Sequence, residues 1–369
     1  MSYKSYFNIS YRATELNTSL NKGTLHGIPK LATKTEMSSP ITSRFFRAVH
    51  DQLLPALFGG PRPVQQRSFA SDTEGSQGVT LRRGRMEDVP GVWQVTEEAK
   101  WNMHQDVVET HFKMSNNGWI IAEKDGNIVG CLLTYKFNDD LRTAGHLIMS
   151  PKMRGYGVGG KLMMTFLEEF GDANVHASLT KQMFDTYERY TGVPLSMGKV
   201  VGKYSGVFKN TPLPPDAERS YRLLDVTKID QSDLIDYDAS YHGVPRPEKL
   251  KLWLGQTTAE TLVLLEKGKI AGYGSIRPAM NGFSLGPLYA ENTIGTMVLF
   301  KALVDLIPRD SNVDILMPYA NEAGQEILKA NESTVKLFDT YQKFALKCYS
   351  PPPKWNNVFS LFSNACGKC

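Results

Sequence analysis

The sequence contains an internal repeat, which constrains its fold more than any other feature. Residues 119–130 (WIIAEKDGNIVG) match residues 262–272 (LVLLEKGKIAG), with one residue fewer in the turn. In each segment an Asp-Gly or Lys-Gly pair separates two apolar runs, and this pattern predicts a β-hairpin. A second match follows in the same order, because the tetrapeptide FDTY of residues 184–187 recurs at residues 338–341. We therefore expect a duplicated domain.

Proline-rich stretches divide the chain around these repeats. The chain has 369 residues, enough for two or three domains. Residues 211–215 (TPLPP) and the three prolines at 351–353 disfavour regular structure where they occur. The expected organisation is a first domain at 79–210, a linker at 211–219, a second domain at 220–350 and a tail at 351–369.

The first 78 residues differ from the rest in composition. They are rich in Ser, Thr and basic residues, and residues 41–58 have the apolar spacing of a short amphipathic helix. Such a leader is typical either of a mitochondrial transit peptide or of a poorly ordered extension. In the first case we expect a mitochondrial protein, and in the second a cytoplasmic one.

Composition argues against several classes of protein. Hydrophobic residues make up 41% and charged residues 22% of the chain, as in ordinary globular domains. No apolar run reaches the roughly 18 residues of a membrane-spanning helix, so we expect no membrane association. Residues 1–71 hold nine basic and three acidic residues in a chain of net charge +4, which leaves a slightly acidic remainder and argues against nucleic-acid binding. Because the terminal pair Cys366 and Cys369 lacks the other ligands of a zinc site, we expect free thiols and no metal.

A strand, a glycine-rich turn and a helix are predicted in succession in the first domain. The apolar run 144–150 leads into residues 154–160 (RGYGVGG), and residues 161–170 have helical apolar spacing. Glycines allow positive φ angles and a close approach of a ligand, and the first turn of a helix presents unpaired N–H groups. The pattern therefore predicts a phosphate-binding loop. It has neither the Lys-Ser/Thr of phosphate-loop ATPases nor the dinucleotide fingerprint.

The R-x-x-G-x-G sequence of residues 154–159 resembles the pyrophosphate-binding motif of the GCN5-related N-acetyltransferases, the GNAT superfamily. Residues 183–193 (MFDTYERYTGV) resemble the tyrosine-containing element found late in these enzymes, with one extra residue before the glycine. In the second domain, residues 272–278 (GYGSIRP) and 285–290 (LGPLYA) are similar to the C-terminal domain of tandem GNAT acetyltransferases of bacteria and nematodes, but no R-x-x-G-x-G sequence follows Ala290. A second acyl-CoA site is therefore not expected.

The resemblance implies an α/β fold of the α+β type, with two tandem domains that each have a mixed, mostly antiparallel sheet flanked by helices. The fourth and fifth strands of the first domain would splay apart and receive an acyl thioester between them. Leu147, Ile148 and Met149 would line this gap, and Arg154 would contact the pyrophosphate of acetyl-CoA. The other pyrophosphate contacts would come from the loop formed by Gly155, Tyr156, Gly157, Val158, Gly159 and Gly160.

Transfer of an acyl group to an amine requires a neutral nucleophile. A lysine-like amine with a pKa near 10.4 is almost fully protonated at pH 7, and its deprotonation costs roughly 4.6 kcal/mol. The candidates for a general base are His146 on the predicted strand and Glu97 or Glu98 on the predicted substrate-side helix, acting directly or through water. Alternatively, His146 is a structural histidine bonded to a backbone carbonyl.

The resemblance also implies that a tyrosine from the helix after the fifth strand protonates the leaving thiolate, and Tyr187 is at the best-matched position. Residues 331–338 resemble the equivalent late helix of the second domain, with Phe338 where a tyrosine is usual. If the alignment follows that second domain, Phe184 takes this place and Tyr187 or Tyr190 donates from one turn away. Otherwise Tyr187 is a core aromatic residue.

The second domain is expected to form one wall of the acceptor site. Arg277 is a candidate for holding an acidic group of the acceptor, and the alternative is a buried ion pair inside the domain. We expect an enzyme that transfers an acetyl group from acetyl-CoA to a primary amine by direct attack in a ternary complex. Two alternatives are a non-catalytic acyl-CoA-binding or regulatory protein and transfer of longer acyl groups to glycine-like acceptors. The acceptor, a small molecule or a protein, and the oligomeric state are left open.

Overall fold

The structure, a computed structural model, describes residues 77–170, 172–180, 183, 187 and 195–363. The helix predicted at 41–58, the rest of the N-terminal extension up to residue 76, and Cys366 and Cys369 lie outside the described residues. Within the described ranges, no helix is both long and apolar enough to span a bilayer.

The described chain contains two copies of one order of elements, as the repeat predicts. The N-terminal copy consists of β1 (Val79–Arg83), α1 (Val89–Glu98), α2 (Gln105–Ser115), β2 (Trp119–Lys124), β3 (Asn127–Lys136), β4 (Leu141–Met149), α3 (Val158–Phe170), β5 (Asn174–Thr180) and β6 (Ser196–Gly206). The C-terminal copy consists of β7 (Tyr221–Asp225), α4 (Gln231–His242), α5 (Pro247–Leu254), β8 (Glu260–Glu266), β9 (Lys269–Pro278), β10 (Phe283–Ala290), α6 (Thr293–Asp305), β11 (Val313–Pro318), α7 (Glu322–Ala330), β12 (Val335–Ala345) and β13 (Val358–Ser360).

The first sequence match forms the same hairpin in both copies. β2 pairs antiparallel with β3, and β8 pairs antiparallel with β9. The turn of the first hairpin has positive φ at Asp125 (51°) and Gly126 (74°), and that of the second at Lys267 (50°) and Gly268 (79°). Positive φ at both central residues is the conformation of a two-residue hairpin turn that matches the twist of the strands. These two predicted hairpins are confirmed.

The strands of both copies join one mixed sheet flanked by helices, which confirms the predicted fold class. Its order is β1-β2-β3-β4-β5-β12-β6-β11-β10-β9-β8-β7, with β13 beside β10. Neighbouring strands are antiparallel except for β4 with β5 and β10 with β11, which are equivalent pairs of the two copies. Alternate residues of β2 enter different cores, because Ile121 packs in a cluster with α1 and α2, whereas Ile120 packs in a cluster with α3.

The two copies exchange their last strands. β12 of the C-terminal copy lies between β5 and β6 of the N-terminal copy, pairing antiparallel with both. In the same way, β6 of the N-terminal copy lies between β12 and β11 of the C-terminal copy. Each copy therefore completes its part of the sheet with a strand from the other.

This exchange corrects two expectations for the C-terminal copy. Residues 331–338 do not form a late helix, because the chain turns after α7 and enters β12 at Val335. The second FDTY match is consequently not a structural equivalence, since Tyr187 is helical and Tyr341 lies in a strand. The burial of β12 does not alternate along the strand, because its first part is largely exposed and residues 343–345 are all buried, so the sequence lacked the period-two pattern of a strand.

The segment expected as a C-terminal tail is part of the core up to residue 363. β13 pairs antiparallel with β10, and Trp355, Val358, Phe359 and Leu361 are all buried. The three prolines at 351–353 end the preceding segment without ending the fold. Residues 351–363 therefore belong to the C-terminal copy.

The strand exchange predicts that a residue of β12 stabilises the N-terminal copy. Phe344 is 1% exposed and packs against Tyr187 in a cluster of N-terminal residues, whereas Phe338 on the same strand is 70% exposed. We expect Phe344→Ala to lower the free energy of unfolding by about 3–5 kcal/mol, measured by urea denaturation. Phe338→Ala is the matched control and should change it by less than about 0.5 kcal/mol. Equal effects of the two substitutions would contradict the exchange.

Candidate functional site

A gap opens between β4 and β5 because the two strands pair only at their beginnings. The parallel pairing joins residues 141–143 to residues 174–176, after which the strands separate. A bulge in β4 accompanies the separation, because Leu132 of β3 lies opposite two residues, His146 and Leu147. His146 has a positive φ of 47° at this bulge. The gap forms part of a cavity of about 490 Å³, and the splayed strands confirm the expected arrangement.

The predicted phosphate-binding loop lies between β4 and α3. Gly155 and Gly157 have positive φ angles of 85° and 80°, which other residues adopt only with strain. A side chain built on either glycine would meet no atom within 4 Å, so the backbone faces open space. The helix begins at Val158, whose side chain is fully buried, so its contribution to a ligand would come from the backbone. The structure therefore has an exposed glycine turn directly before a helix, a kind of backbone that can bind phosphate groups.

The remaining predicted donor-site residues are divided between the two faces of β4 and the loop. Leu147 lines the cavity, whereas the side chain of Ile148 is buried in the core on the opposite face. Met149 packs near Gly130 and Gly159. The Arg154 guanidinium donates a long hydrogen bond of 3.4 Å to the carbonyl of Met149. Tyr156, Gly159 and Gly160 lie in the loop and the first turn of α3, and Tyr156 is exposed.

His146 lies on the cavity wall among aromatic rings. Its ring contacts His111 edge-on, with the two ring centres 4.6 Å apart, and it stacks on Trp119 at 5.5 Å. The half-exposed Trp101 covers it from the α1–α2 loop at 5.7 Å. Behind it, His111 Nδ1 forms a very short hydrogen bond with the hydroxyl of Tyr135. The Nδ1 atom of His146 has no hydrogen-bond partner among the described residues.

Burial makes His146 a weak base. Because the imidazolium ion would lose its hydration, the pKa of His146 falls to about 3. The ring is therefore neutral at pH 7 and cannot easily accept a proton from an alkylammonium ion. Glu97 and Glu98, the other candidate bases, are exposed, and Glu98 accepts a hydrogen bond from Ser150 at 2.6 Å.

Tyr187 lines the same cavity from the side of β5. It is 6% exposed, and its ring packs against Phe344 of β12 at 5.3 Å. Burial raises the pKa of its hydroxyl above the usual value, so the group is protonated at neutral pH and able to donate. Tyr341 of β12 also lines the cavity, with a pKa raised by burial to about 12. The sequence match with Tyr187 gave no indication that both tyrosines face one site.

Arg277 reaches the cavity from β9 of the C-terminal copy. It is buried, and its guanidinium lies 3.8 Å from the ring centre of Trp253. It donates hydrogen bonds to the side-chain oxygen of Gln256 at 2.9 Å and to the carbonyl of Gly286 at 3.2 Å. Both acceptors are neutral. The structure thus brings Arg277, His146 and Tyr187 to the wall of one cavity.

Comparison with known proteins assigns both copies to one family. Residues 81–192 match the model of the Acetyltransferase (GNAT) family, and residues 234–356 match a second model, the Acetyltransferase (GNAT) domain. Together the two models cover well over half of the chain. The chain belongs to the GNAT superfamily. It is an acyltransferase with tandem GNAT domains, as the glycine-rich motif predicts, and enzymes of this superfamily generally use acyl-CoA donors and amine acceptors.

Individual relatives are matched over most of their own lengths. Holothin acyltransferase from Pseudoalteromonas sp. is 23% identical over 235 residues, which are 61% of this chain and 76% of the relative. A GCN5-related N-acetyltransferase from Sphaerobacter thermophilus has a TM-score of 0.53 at 11% identity, covering 73% of this chain and 95% of its own. A tandem GNAT protein from the clavulanic acid biosynthesis pathway has a TM-score of 0.52 at 12% identity, covering 72% of this chain and 98% of its own.

The C-terminal GNAT domain has the equivalent gap, but a strand of the protein fills it. β10 and β11 pair in parallel only at residues 283–285 with 313–315, and β13 then pairs with β10. Leu361 donates a backbone hydrogen bond of 2.9 Å to Leu316 of β11. A side chain on Gly286 would lie 2.3 Å from the carbonyl of Leu361, so this close approach requires glycine. The filled gap gives a physical reason to expect no second acyl-CoA site.

Asn102 connects the α1–α2 loop to the C-terminal domain. Its side chain accepts a hydrogen bond from the Asn281 amide at 2.7 Å and donates to the Asn281 carbonyl at 3.1 Å. It also donates to Asp314 at 3.1 Å, a carboxylate that pairs with Lys203 at 3.0 Å. These bonds hold the loop that carries Trp101 against the cavity. Sequence reasoning missed Asn102 because its partners are about 180 and 210 residues away.

Removal of this connection should loosen the loop. We expect Asn102→Ala to destabilise the protein by roughly 1–3 kcal/mol, since three hydrogen bonds are lost, and to accelerate hydrogen exchange of the Asn281 amide. Asn138→Ala is the control, because Asn138 accepts hydrogen bonds from two backbone amides in the β3–β4 turn. It should lower stability without changing exchange at Asn281. Unchanged protection of Asn281 in Asn102→Ala would disprove the connection.

Proposed function

We propose that the protein transfers an acetyl group from acetyl-CoA to a primary amine by direct attack in a ternary complex. The observation that carries this proposal is the open β4–β5 gap, which forms part of a cavity lined by His146, Tyr187 and Arg277, in a domain where the glycine loop follows β4. The equivalent gap of the second domain is filled by β13. One donor site per chain is therefore proposed.

The donor would lie along β4. The amides of residues 155–160 and Arg154 would bind the pyrophosphate, where the loop backbone faces open space. The pantetheine arm would extend along Leu147, Ile148 and Met149, with the thioester at the β4 bulge. The unpaired strand edges at this point leave backbone donors and acceptors available to the arm.

The reaction forms a bond between the amine nitrogen and the thioester carbonyl carbon and breaks the carbon–sulfur bond. The nitrogen loses one proton to solvent, the sulfur leaves as a thiol, and the proton donor regains its proton from solvent after the transfer. Tyr187 is proposed to donate the proton to the thiolate, since its hydroxyl is protonated at neutral pH and lines the cavity. His146 is proposed to accept a hydrogen bond from the amine as a neutral imidazole, and Arg277 to bind a polar group of the acceptor. No covalent intermediate on Cys131 is proposed, because this thiol is buried and burial raises its pKa.

A substitution in the glycine loop tests the donor site. Gly157→Ala should weaken acetyl-CoA binding at least tenfold in calorimetry, because a side chain at φ of 80° strains the loop and projects into the ligand's space. Gly126→Ala is a matched control, since Gly126 also has a positive φ and open surroundings but lies in the β2–β3 turn. The same dissociation constant in both variants would reject the site.

The role of Tyr187 is tested by removing its hydroxyl. Tyr187→Phe should lower kcat by about 10²–10⁴-fold, as expected for loss of a general acid, with unchanged acetyl-CoA affinity. Release of the coenzyme A thiol measures the rate. Tyr319→Phe, a half-exposed tyrosine outside the cavity, should have wild-type activity. Loss of activity in Tyr341→Phe but not in Tyr187→Phe would show that Tyr341, and not Tyr187, donates the proton to the thiolate.

A further inference from the structure

We propose that the acceptor is a flat, weakly basic amine, such as an aromatic or heteroaromatic amine, bound against Trp101 with its amino group at His146. This inference rests on the proposed function and specifies its substrate class. It follows from the aromatic walls of the acceptor end, the positive charge of Arg277 nearby, and the engagement of the carboxylates that line the cavity.

The acceptor end of the cavity disfavours a positive charge. Arg277, Trp253, His111 and His146 form a continuous series of ring contacts from β9 to the β4 bulge. Burial, together with the repulsion that Arg277 and a protonated His146 would exert, holds the pKa of His111 well below its usual value. The surroundings that keep both imidazoles neutral would equally disfavour an ammonium ion on a bound acceptor.

The aromatic rings do not form a cage for a cation. A cation is attracted to an open ring face, but the faces of Trp253 are covered by Arg277 at 3.8 Å and Phe362 at 4.4 Å. Phe112 and His146 stack on Trp119. Trp101 is 39% exposed and offers its ring to a flat ligand.

The carboxylates that line the cavity already accept hydrogen bonds from other groups of the protein. Asp314 accepts hydrogen bonds from Asn102, Ser205 and Asn312 and pairs with Lys203. Asp339 accepts a hydrogen bond from the backbone amide of Thr340 at 2.7 Å. By contrast, His146 Nδ1 and Trp253 Nε1 are buried on the cavity wall without a hydrogen-bond partner among the described residues. Neutral N–H and acceptor groups of a heteroaromatic amine would satisfy them.

The titratable side chains around this position come from several elements. His111 on α2 and Tyr135 on β3 lie behind His146. The others that line the cavity are Lys100, His104, Tyr187, Lys203, Arg277, Asp314, Asp339 and Tyr341.

A weakly basic amine is already neutral at pH 7, so it requires no base to become a nucleophile. It therefore avoids the deprotonation of an alkylammonium ion, which costs roughly 4.6 kcal/mol.

The test compares four amines with acetyl-CoA as donor and thiol release as readout. Aniline has a flat ring and a weakly basic amine, benzylamine has the flat ring with a strongly basic amine, and cyclohexylamine has neither feature. At pH 7 we expect kcat/KM for aniline, or for 2-aminothiazole as its heteroaromatic analogue, to exceed both alkylamines at least tenfold. Equal or better use of an alkylamine, or no turnover of either aromatic amine above the acceptor-free rate, would overturn the proposal.

The pH profile gives a second readout. With the aromatic amine, kcat/KM should be constant between about pH 6.5 and 8.5, because neither the amine nor His146 titrates there. An ionisation in this range that disappears in His146→Asn would identify His146 as a base and contradict the inference.

Calorimetry with acetyl-CoA on the same protein separates the proposed function from the proposed substrate class. Absence of binding refutes the proposed function, whereas normal binding with the wrong order of amines refutes the substrate class alone.

A substitution at Trp101 tests the stacking surface. Trp101→Leu should lower kcat/KM for the aromatic amine at least tenfold and leave the acetyl-CoA dissociation constant unchanged. Leu306→Ala is the control, because Leu306 is 49% exposed and does not line the cavity. Equal activity of the Trp101→Leu variant and the wild type would place the acceptor elsewhere.

Discussion

The pairing of β12 with β5 and β6 is the interaction on which the rest of the structure depends. It joins two GNAT domains into one sheet and brings residues of both copies to one cavity. Lys203 of β6 and Tyr341 of β12 line that cavity because each strand lies beyond its own copy. Arg277 of the C-terminal copy also lines this cavity, so the proposed acceptor end includes residues of both copies. Duplication therefore provides a composite site rather than two separate ones.

The sequence predicted the parts of this site that depend on local chain geometry. The hairpin turns at Asp125 and Lys267 and the positive φ of Gly157 follow from residue types that tolerate left-handed backbone. The helix after the glycine loop follows from apolar periodicity. These features need only neighbouring residues, so a single sequence was sufficient to predict the glycine turn before α3 and the fold class.

Features that depend on distant residues could not be predicted in this way. The contacts of Asn102, the pairing of β12 and the insertion of β13 beside β10 each join segments far apart in sequence. The low basicity of His146 could not be predicted either, because it results from burial among rings of α2, β2 and the α1–α2 loop. A residue chosen as a base from its type is thus better suited to hydrogen bonding as a neutral ring.

One gap of the sheet is open and the other is filled by a strand, and this difference is the central claim. The β4–β5 gap is open beside a glycine loop, whereas β13 fills the β10–β11 gap. A crystal structure of the protein grown with coenzyme A tests it most directly. We expect one coenzyme A per chain, its pyrophosphate at residues 155–160 and its thiol at the β4 bulge, with β13 still paired to β10. Coenzyme A bound in the β10–β11 gap in place of β13, or only outside both gaps, would contradict it.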